Sequence, residues 1–241
     1  MLTLYQFPIS HYCEKARWAL DYKGLDHKII NLLPGQHIKI IKAIAPDSEV
    51  PVLQQEQEII QGSGNIISWL DQRYPATPLT PIDAQSKQQA LEWEHYADEN
   101  IGPHIRLYFY HYLLEQPELT VPMLAQGQPF HKRFLFRVIY PKVRSIMRQH
   151  MNINERTARI SLKILERAIN KLHAHYAHHG FLVGDQFSRA DLAAASLLAP
   201  LVEPAKYGIS WPTHYPGELQ QTIYDFRDRL DWVDRLYRLY R

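Results

Sequence analysis

Tyr5-Gln6-Phe7-Pro8-Ile9-Ser10-His11-Tyr12-Cys13-Glu14-Lys15-Ala16-Arg17 is the stretch on which the reading of the fold turns. Its first residues close a short strand that begins at Leu2 and ends at Phe7. The pattern then changes to a helix over Tyr12 to Tyr22, where Cys13, Ala16 and Leu20 recur on one face. Ser10 stands at the start of that helix, where its hydroxyl can meet unpaired backbone N–H groups. The same place carries the positive end of the helix dipole, which favours a thiolate or another anion. Two roles fit Ser10: a structural cap, or a hydrogen-bond donor to a thiol-derived anion supplied by a cofactor. Cys13 lies about one helical turn further on. Its place on the apolar face makes it a buried small hydrophobe; an exposed Cys13 could form a mixed disulfide with an external thiol.

Outward from this stretch the element types alternate. A second strand is expected over Lys28 to Asn31, and a helical turn over Lys39 to Ala43. Short apolar strands are expected at Pro51 to Leu53 and Glu58 to Ile60, then a helix over Ser63 to Arg73. The order βαβ(α)ββα implies one small sheet covered by helices. A cis Val50-Pro51 bond at a strand entrance would turn the Val50 backbone outward, ready to pair with an extended peptide. In Gln61-Gly62-Ser63-Gly64, Ser63 can cap the next helix while the glycines admit a ligand carboxylate to free N–H groups. Neither Gly-x-Gly-x-x-Gly nor Gly-x4-Gly-Lys-Ser/Thr occurs, so the usual nucleotide loops are excluded.

Pro75-Ala76-Thr77-Pro78-Leu79-Thr80-Pro81 holds three prolines in seven residues and reads as a stiff linker. It divides the chain into an α/β domain at 1–76, a linker at 77–83 and a helical domain at 84–241. Helices are expected over Asp83 to His111, Phe130 to Met147, Asn154 to Ala177, Ser188 to Leu201 and Pro216 to Tyr237. Pro103 should kink or divide the first, and Pro141 the second. Ser188-Arg189-Ala190-Asp191 has the outline of a capping box, with Phe187 placed to staple against Leu192. Tyr108 and Tyr112 share a helix face, and with Trp211 they are candidates to line a pocket for an apolar substrate. His175 and His179 have a spacing that can bind a metal, but no acidic ligand joins them; a solvated helix end explains them and no metal site is expected. The lysines and arginines scattered over the helices read as a solvated face.

Of the 241 residues 46% are hydrophobic and 22% charged, the range of a soluble globular protein rather than a disordered one. One cysteine excludes an internal disulfide and an all-cysteine metal site, and fits a reducing compartment. A net charge of +2 gives no concentrated field for nucleic acid, so no nucleic-acid partner is expected. No uncharged apolar stretch reaches about 18 residues, so no membrane span is expected. With no basic leader before Leu2, a signal peptide is not expected and the location is expected to be cytoplasmic.

Taken in order, Tyr5 to Arg17, Val50-Pro51-Val52-Leu53, Ser63-Gly64-Asn65-Ile66-Ile67-Ser68-Trp69-Leu70-Asp71, and Phe181-Leu182-Val183-Gly184-Asp185-Gln186-Phe187-Ser188-Arg189-Ala190-Asp191 resemble a cytosolic glutathione transferase over essentially the whole chain. The resemblance implies a thioredoxin-like glutathione domain followed by the family's helical domain, that is, α/β plus all-α. It places Ser10 where serine-type and cysteine-type members activate or bond to glutathione, in a serine-type or atypical subclass. Val50 falls where the backbone pairs with the cysteinyl part, Pro51 at the cis proline, and Ser63 at the γ-glutamyl carboxylate. His37 and Lys39 fall in the region that meets the glycyl carboxylate. The activity implied is detoxifying attack of the glutathione thiol, as cosubstrate, on a small hydrophobic electrophile, by a homodimer. Two alternatives stand beside it: a non-catalytic glutathione or hydrophobic-ligand binding protein, and a glutathione-dependent oxidoreductase using Cys13. Gly62 departs from the pattern, since many members carry Glu or Asp before the serine matched by Ser63. Asp98 from a neighbouring subunit is a candidate replacement for that carboxylate.

Overall fold

β1 (Leu2–Gln6) is the inner strand from which the first half of the molecule is built, in a computed structural model that describes residues 1–241. Its residues alternate, with Leu2, Leu4 and Gln6 turned inward. β2 (His27–Asn31) runs parallel to it, so the chain must cross over between them, and α1 (His11–Tyr22) makes that crossing. β3 (Val52–Gln55) and β4 (Glu58–Gln61) form a hairpin on the other side, antiparallel to β1 and to each other. The strand order is β2-β1-β3-β4. α2 (Gln36–Lys42) and α3 (Ser63–Arg73) complete this part, and α1 packs on α3. The fold is thus a mixed-sheet, thioredoxin-like domain followed by a predominantly helical one.

The helical part contains α4 (Ala84–Asn100), α5 (Gly102–Leu113), α6 (Pro117–Leu124), α7 (Phe130–His150), α8 (Glu155–Tyr176), α9 (Arg189–Leu198), α10 (Gly217–Phe226) and α11 (Asp231–Tyr240). α9 is buried along its whole length and packs on α1 and α4, so it is the hub between the two parts. Its Ser188 oxygen accepts from Ala190 N (3.3 Å), and Asp191 accepts from Ser188 N (3.0 Å), closing the capping box. The aromatic ring of Phe187 stacks on Tyr240 at 4.5 Å and on Trp18 at 5.7 Å.

Pro103 divides the first long helix as its position predicts, sitting in the first turn of α5 where a missing N–H costs nothing. Gly102 before it is required, because a Cβ there would collide with the Tyr12 ring and hydroxyl. Pro141, in contrast, lies inside an unbroken α7. It is on the exposed side, where water can satisfy the carbonyl that the proline leaves free. The helix expected over Pro216 to Tyr237 is two helices, separated by a 3-10 turn at Arg227–Arg229 and by the buried Leu230. α9 ends at Leu198, and Ala199–Leu201 tightens into a 3-10 turn around Pro200. α6, with prolines at 117 and 122, is a helix that the sequence reading passed over.

The scattered charges are not all solvated. Lys15 is fully buried and reaches Glu94 at 2.7 Å and Asp98 at 2.8 Å. Arg189 pairs with Glu94 at 2.5 Å and donates at 3.0 Å each to Ser68 Oγ, Thr80 Oγ1 and the Gly64 carbonyl. Burial would raise the Glu94 pKa, but Lys15 and Arg189 together hold it below the ordinary carboxylate value. This seam joins α1, α3, the proline-rich connection, α4 and α9. A second buried carboxylate, Glu14, receives Arg17 Nε and Arg241 Nε, each at 2.8 Å. No helix is long and apolar enough to cross a membrane.

Candidate functional site

The chain leaves β1 through Pro8 and Ile9 and turns into α1 at Ser10, whose N–H donates to the Phe7 carbonyl at 3.1 Å. Ser10 has extended φ and ψ, and its Oγ accepts from Cys13 N at 3.3 Å. That is the cap geometry the sequence predicts, on a half-buried side chain at the positive end of α1 whose hydroxyl also faces the Cys13 thiol. Cys13 is fully buried, and burial pushes its thiol pKa up against the opposing pull of Ser10 and Arg17. A thiol in that state is a poor nucleophile.

The next two side chains fix this helix start to the second domain. His11 Nε2 meets the Gly102 carbonyl at 3.0 Å, and Tyr12 donates to the Asp98 carbonyl at 2.9 Å. Burial, assisted by Arg106, lowers the His11 pKa to about 3, so its ring is neutral. The Asp98 carboxylate is already paired with Lys15 of its own chain.

Val50-Pro51 is cis, the state that the family resemblance implies for Pro51 and that the local sequence leaves open. Val50 makes no backbone hydrogen bond within the chain, so its N–H and C=O are open to an extended ligand. The surrounding loop is clamped: Gly62 N donates to the Pro51 carbonyl at 3.0 Å, and Gln61 Nε2 donates to the carbonyls of Asp47 (3.0 Å) and Glu49 (2.8 Å). Val50 and Phe7 border the same apolar cluster, which brings the Pro51 loop to the strand end that leads into Ser10.

Ser63 does not cap α3. The cap position belongs to Gly62, and Ser63 is the first helical residue, nearly buried. The reason is the Gly62 backbone, at φ 91° and ψ 137°, which glycine adopts freely and other residues do not. With no side chain on the cap, the first N–H groups of α3 remain free for an anion. A Cβ at Gly62 would find open space, with Asn65 Nδ2 as its neighbour at 3.7 Å, so the absent acidic residue is missing for conformational rather than steric cause.

His37 and Lys39 separate. The His37 ring meets Phe7 edge-on at 4.8 Å, and its Nδ1 accepts from Gly35 N at 3.1 Å. Burial lowers its pKa, leaving a neutral ring whose Nε2–H is a donor. Lys39 lies two residues on, across the helix, and is exposed.

The predicted aromatic pair shares a face, with ring centroids 5.3 Å apart, but that face meets α10. Tyr108 shares a 2.7 Å hydrogen bond with Thr222, and Tyr112 donates to Glu218 at 2.5 Å. The opposite side of α5, bearing Leu107 and Tyr110, packs on the same apolar cluster as Ile9, the residue before Ser10. Arg106 is on that side too, exposed and close enough to influence His11, Tyr12 and Tyr110. The sequence reading missed these three; the clue was the Gly102–Arg106–Tyr110 spacing of four, which starts at the residue touching Tyr12. Trp211 packs on Tyr207 at 4.9 Å, and Tyr207 donates to the Ile9 carbonyl at 2.7 Å, so Trp211 is one side chain away from the Ser10 turn. His175 and His179 lie 4.6 Å apart, and no group of three metal-ligating side chains occurs.

The comparisons with known proteins follow the same division. Residues 4–78 match the glutathione S-transferase N-terminal domain, and residues 131–230 the glutathione S-transferase C-terminal domain. Glutathione S-transferase Z2 of Arabidopsis thaliana is 35% identical over 115 residues, 46% of this chain and 52% of that protein. Maleylpyruvate isomerase of Ralstonia sp is 33% identical over 91 residues, 36% of this chain and 43% of that protein. The chain spans about half the length of the curated relatives it matches. Among solved structures, the beta-etherase LigF of Sphingobium sp. strain SYK-6 superposes with a TM-score of 0.66 at 18% identity, covering 98% of each chain, which is a likeness of fold. With matching N- and C-terminal domains in the same order along one chain, and the two-part fold to go with them, the protein belongs to the glutathione S-transferase family.

Proposed function

We propose that this protein activates the thiol of glutathione for attack on a small hydrophobic electrophile, as a serine-type member of its family. The observation that carries the reading is the half-buried Ser10 hydroxyl at the positive end of α1, facing a cysteine that is buried and protonated. Ser10 would donate to the glutathione sulfur and, with the helix terminus, favour thiolate over thiol. The open Val50 backbone would pair with the cysteinyl part. Ser63 and the free N–H groups of α3 would take the γ-glutamyl carboxylate, and His37 Nε2–H, with Lys39 outside it, the glycyl end. The sulfur lone pair then forms the bond to the electrophilic carbon, and the leaving group or an adjacent acceptor atom takes the displaced electron pair. Leu107, Tyr110 and Trp211, rather than Tyr108 and Tyr112, would line the approach to that sulfur. The working unit we infer from the family is a cytoplasmic homodimer.

An ultraviolet difference titration of bound glutathione across pH, on the native protein and on Ser10→Ala, tests this. The expected result is a bound-thiol pKa well below that of free glutathione, which rises again in the variant. Binding with an unshifted pKa overturns thiol activation and favours ligand carriage. Absence of binding means that Gly62, in place of an acidic residue, marks a lost site.

A further inference from the structure

α7 is the least covered element of the molecule. Only one stripe of it, Phe136, Tyr140 and Val143, is buried. Phe130, Phe134 and Val138 follow one another at intervals of four along the solvent side, and are 82%, 62% and 62% exposed. Leu135, Ile139 and Ile146 form a second exposed apolar stripe, about a third of a turn round the helix. Isolated apolar side chains on a surface need no explanation, but a continuous ridge of them does.

The charge on this helix has one sign. Its 21 residues include six Lys or Arg and no Asp or Glu. Arg144 and Arg148 are paired, both with Glu115 from the connection between α5 and α6. Lys132, Arg133, Arg137 and Lys142 are exposed and enter no ion pair, and Arg133 and Arg137 run at an interval of four directly alongside the Phe130–Phe134–Val138 ridge. At 21 residues the helix is about 31 Å long, so ridge and cations form one extended strip.

From this strip we propose that α7 is a docking face for an anionic phospholipid surface, which it would enter side-on, without spanning it. A convex ridge with flanking cations suits insertion at the level of lipid headgroups, where the apolar side chains reach the acyl boundary and the guanidinium and ammonium groups meet phosphate. A peptide partner would call for a groove, and this face is a ridge. A second copy of the chain is disfavoured by charge, because a closed dimer through this face would set one acid-free helix against another. The buried side of α7 shares a cluster with Leu33 and borders Ile9, so the strip lies on the helix that backs the Ser10 turn.

The test is co-sedimentation of the full chain with phosphatidylcholine vesicles, with and without phosphatidylserine, at low and raised salt. The variants are Phe134→Ser with Val138→Ser, and Arg133→Glu with Arg137→Glu, all at exposed positions that leave the core intact. The native protein is expected to bind only the anionic vesicles, with binding at least roughly tenfold weaker in raised salt and in each variant. Three results overturn the proposal: no binding to anionic vesicles, undiminished binding by the Arg variant, or a native dimer that Phe134→Ser with Val138→Ser converts to monomer by light scattering, which makes the face an interface between copies. An acidic protein as the true partner would give the first of these. Circular dichroism on each variant checks its fold; should the Arg variant fail, Lys132→Glu with Lys142→Glu reads the same charge dependence.

Discussion

Two helices of this protein are capped by a serine. At α9 the start is closed: Asp191 accepts from Ser188 N, Ser188 Oγ, Leu182 N and Tyr176 Oη, at 2.7–3.0 Å, and all of it is buried. At α1 the start is open: Ser10 accepts a single 3.3 Å bond and no carboxylate reaches back to it. The residue type and the helix position are the same. What differs is the acceptor: Asp191 takes both donors of Ser188, whereas the Ser10 hydroxyl faces only a neutral thiol and can turn to a ligand.

The closed start should break hardest. Asp191→Ala leaves several buried donors without partners and is expected to lower stability by about 3–5 kcal/mol in denaturant unfolding, without altering the thiol pKa of glutathione bound to the folded fraction. The open start should show the reverse pattern. Ser10→Ala is expected to cost about 1 kcal/mol of stability as a lost cap, but on the order of 10²-fold in kcat/KM for glutathione conjugation.

His11 sharpens the contrast through pH. Its pKa falls from 6.5 unfolded to about 3 folded, so the unfolded chain takes up the proton first. The stability from keeping it neutral is complete above pH 6.5 and is lost progressively as pH falls towards 3. Between pH 6.5 and about 4.5 the loss is roughly 2–3 kcal/mol, and His11→Gln, which keeps a donor for the Gly102 carbonyl, should flatten that slope in acid unfolding curves. The smallest effect is expected at Cys13→Ala. It removes a buried thiol for about 1 kcal/mol of stability and leaves conjugation unchanged; loss of activity would instead support the oxidoreductase alternative.

The parts legible in the sequence were those set by neighbours along the chain. The cap at Ser10, the box at Ser188 and the break at Pro103 all announce themselves within a few residues, whereas the cis state of Val50-Pro51 does not. The parts that were not legible depend on what arrives from elsewhere. Nothing in α5 says that Tyr108 and Tyr112 will meet α10 while Leu107 and Tyr110 pack on the same apolar cluster as Ile9. Nor does any local pattern show that Lys15, Glu94 and Arg189, ordinary surface types, will bury one another. α7 has apolar residues on several sides, and only the fold decides that Phe136 goes in and Phe134 stays out. Ser63 lost its cap role to a positive φ at Gly62, a backbone property that the word cap, applied to serine, conceals.

The buried Glu14 carboxylate has a consequence for how the molecule is made. One of its two guanidinium partners, Arg241, is 227 residues downstream, and the Tyr207 carbonyl that helps hold the other, Arg17, is 190 residues beyond that arginine. At ribosomal rates of about 5–20 residues per second, roughly 10–45 s separate the synthesis of Glu14 from that of Arg241. Throughout that interval Glu14 has Arg17 but not Arg241, and water must stand in for the missing guanidinium, so the first domain to emerge cannot be the first to finish. The nascent thioredoxin-like half therefore waits, with one face unsealed, for Tyr207 and Arg241 to arrive.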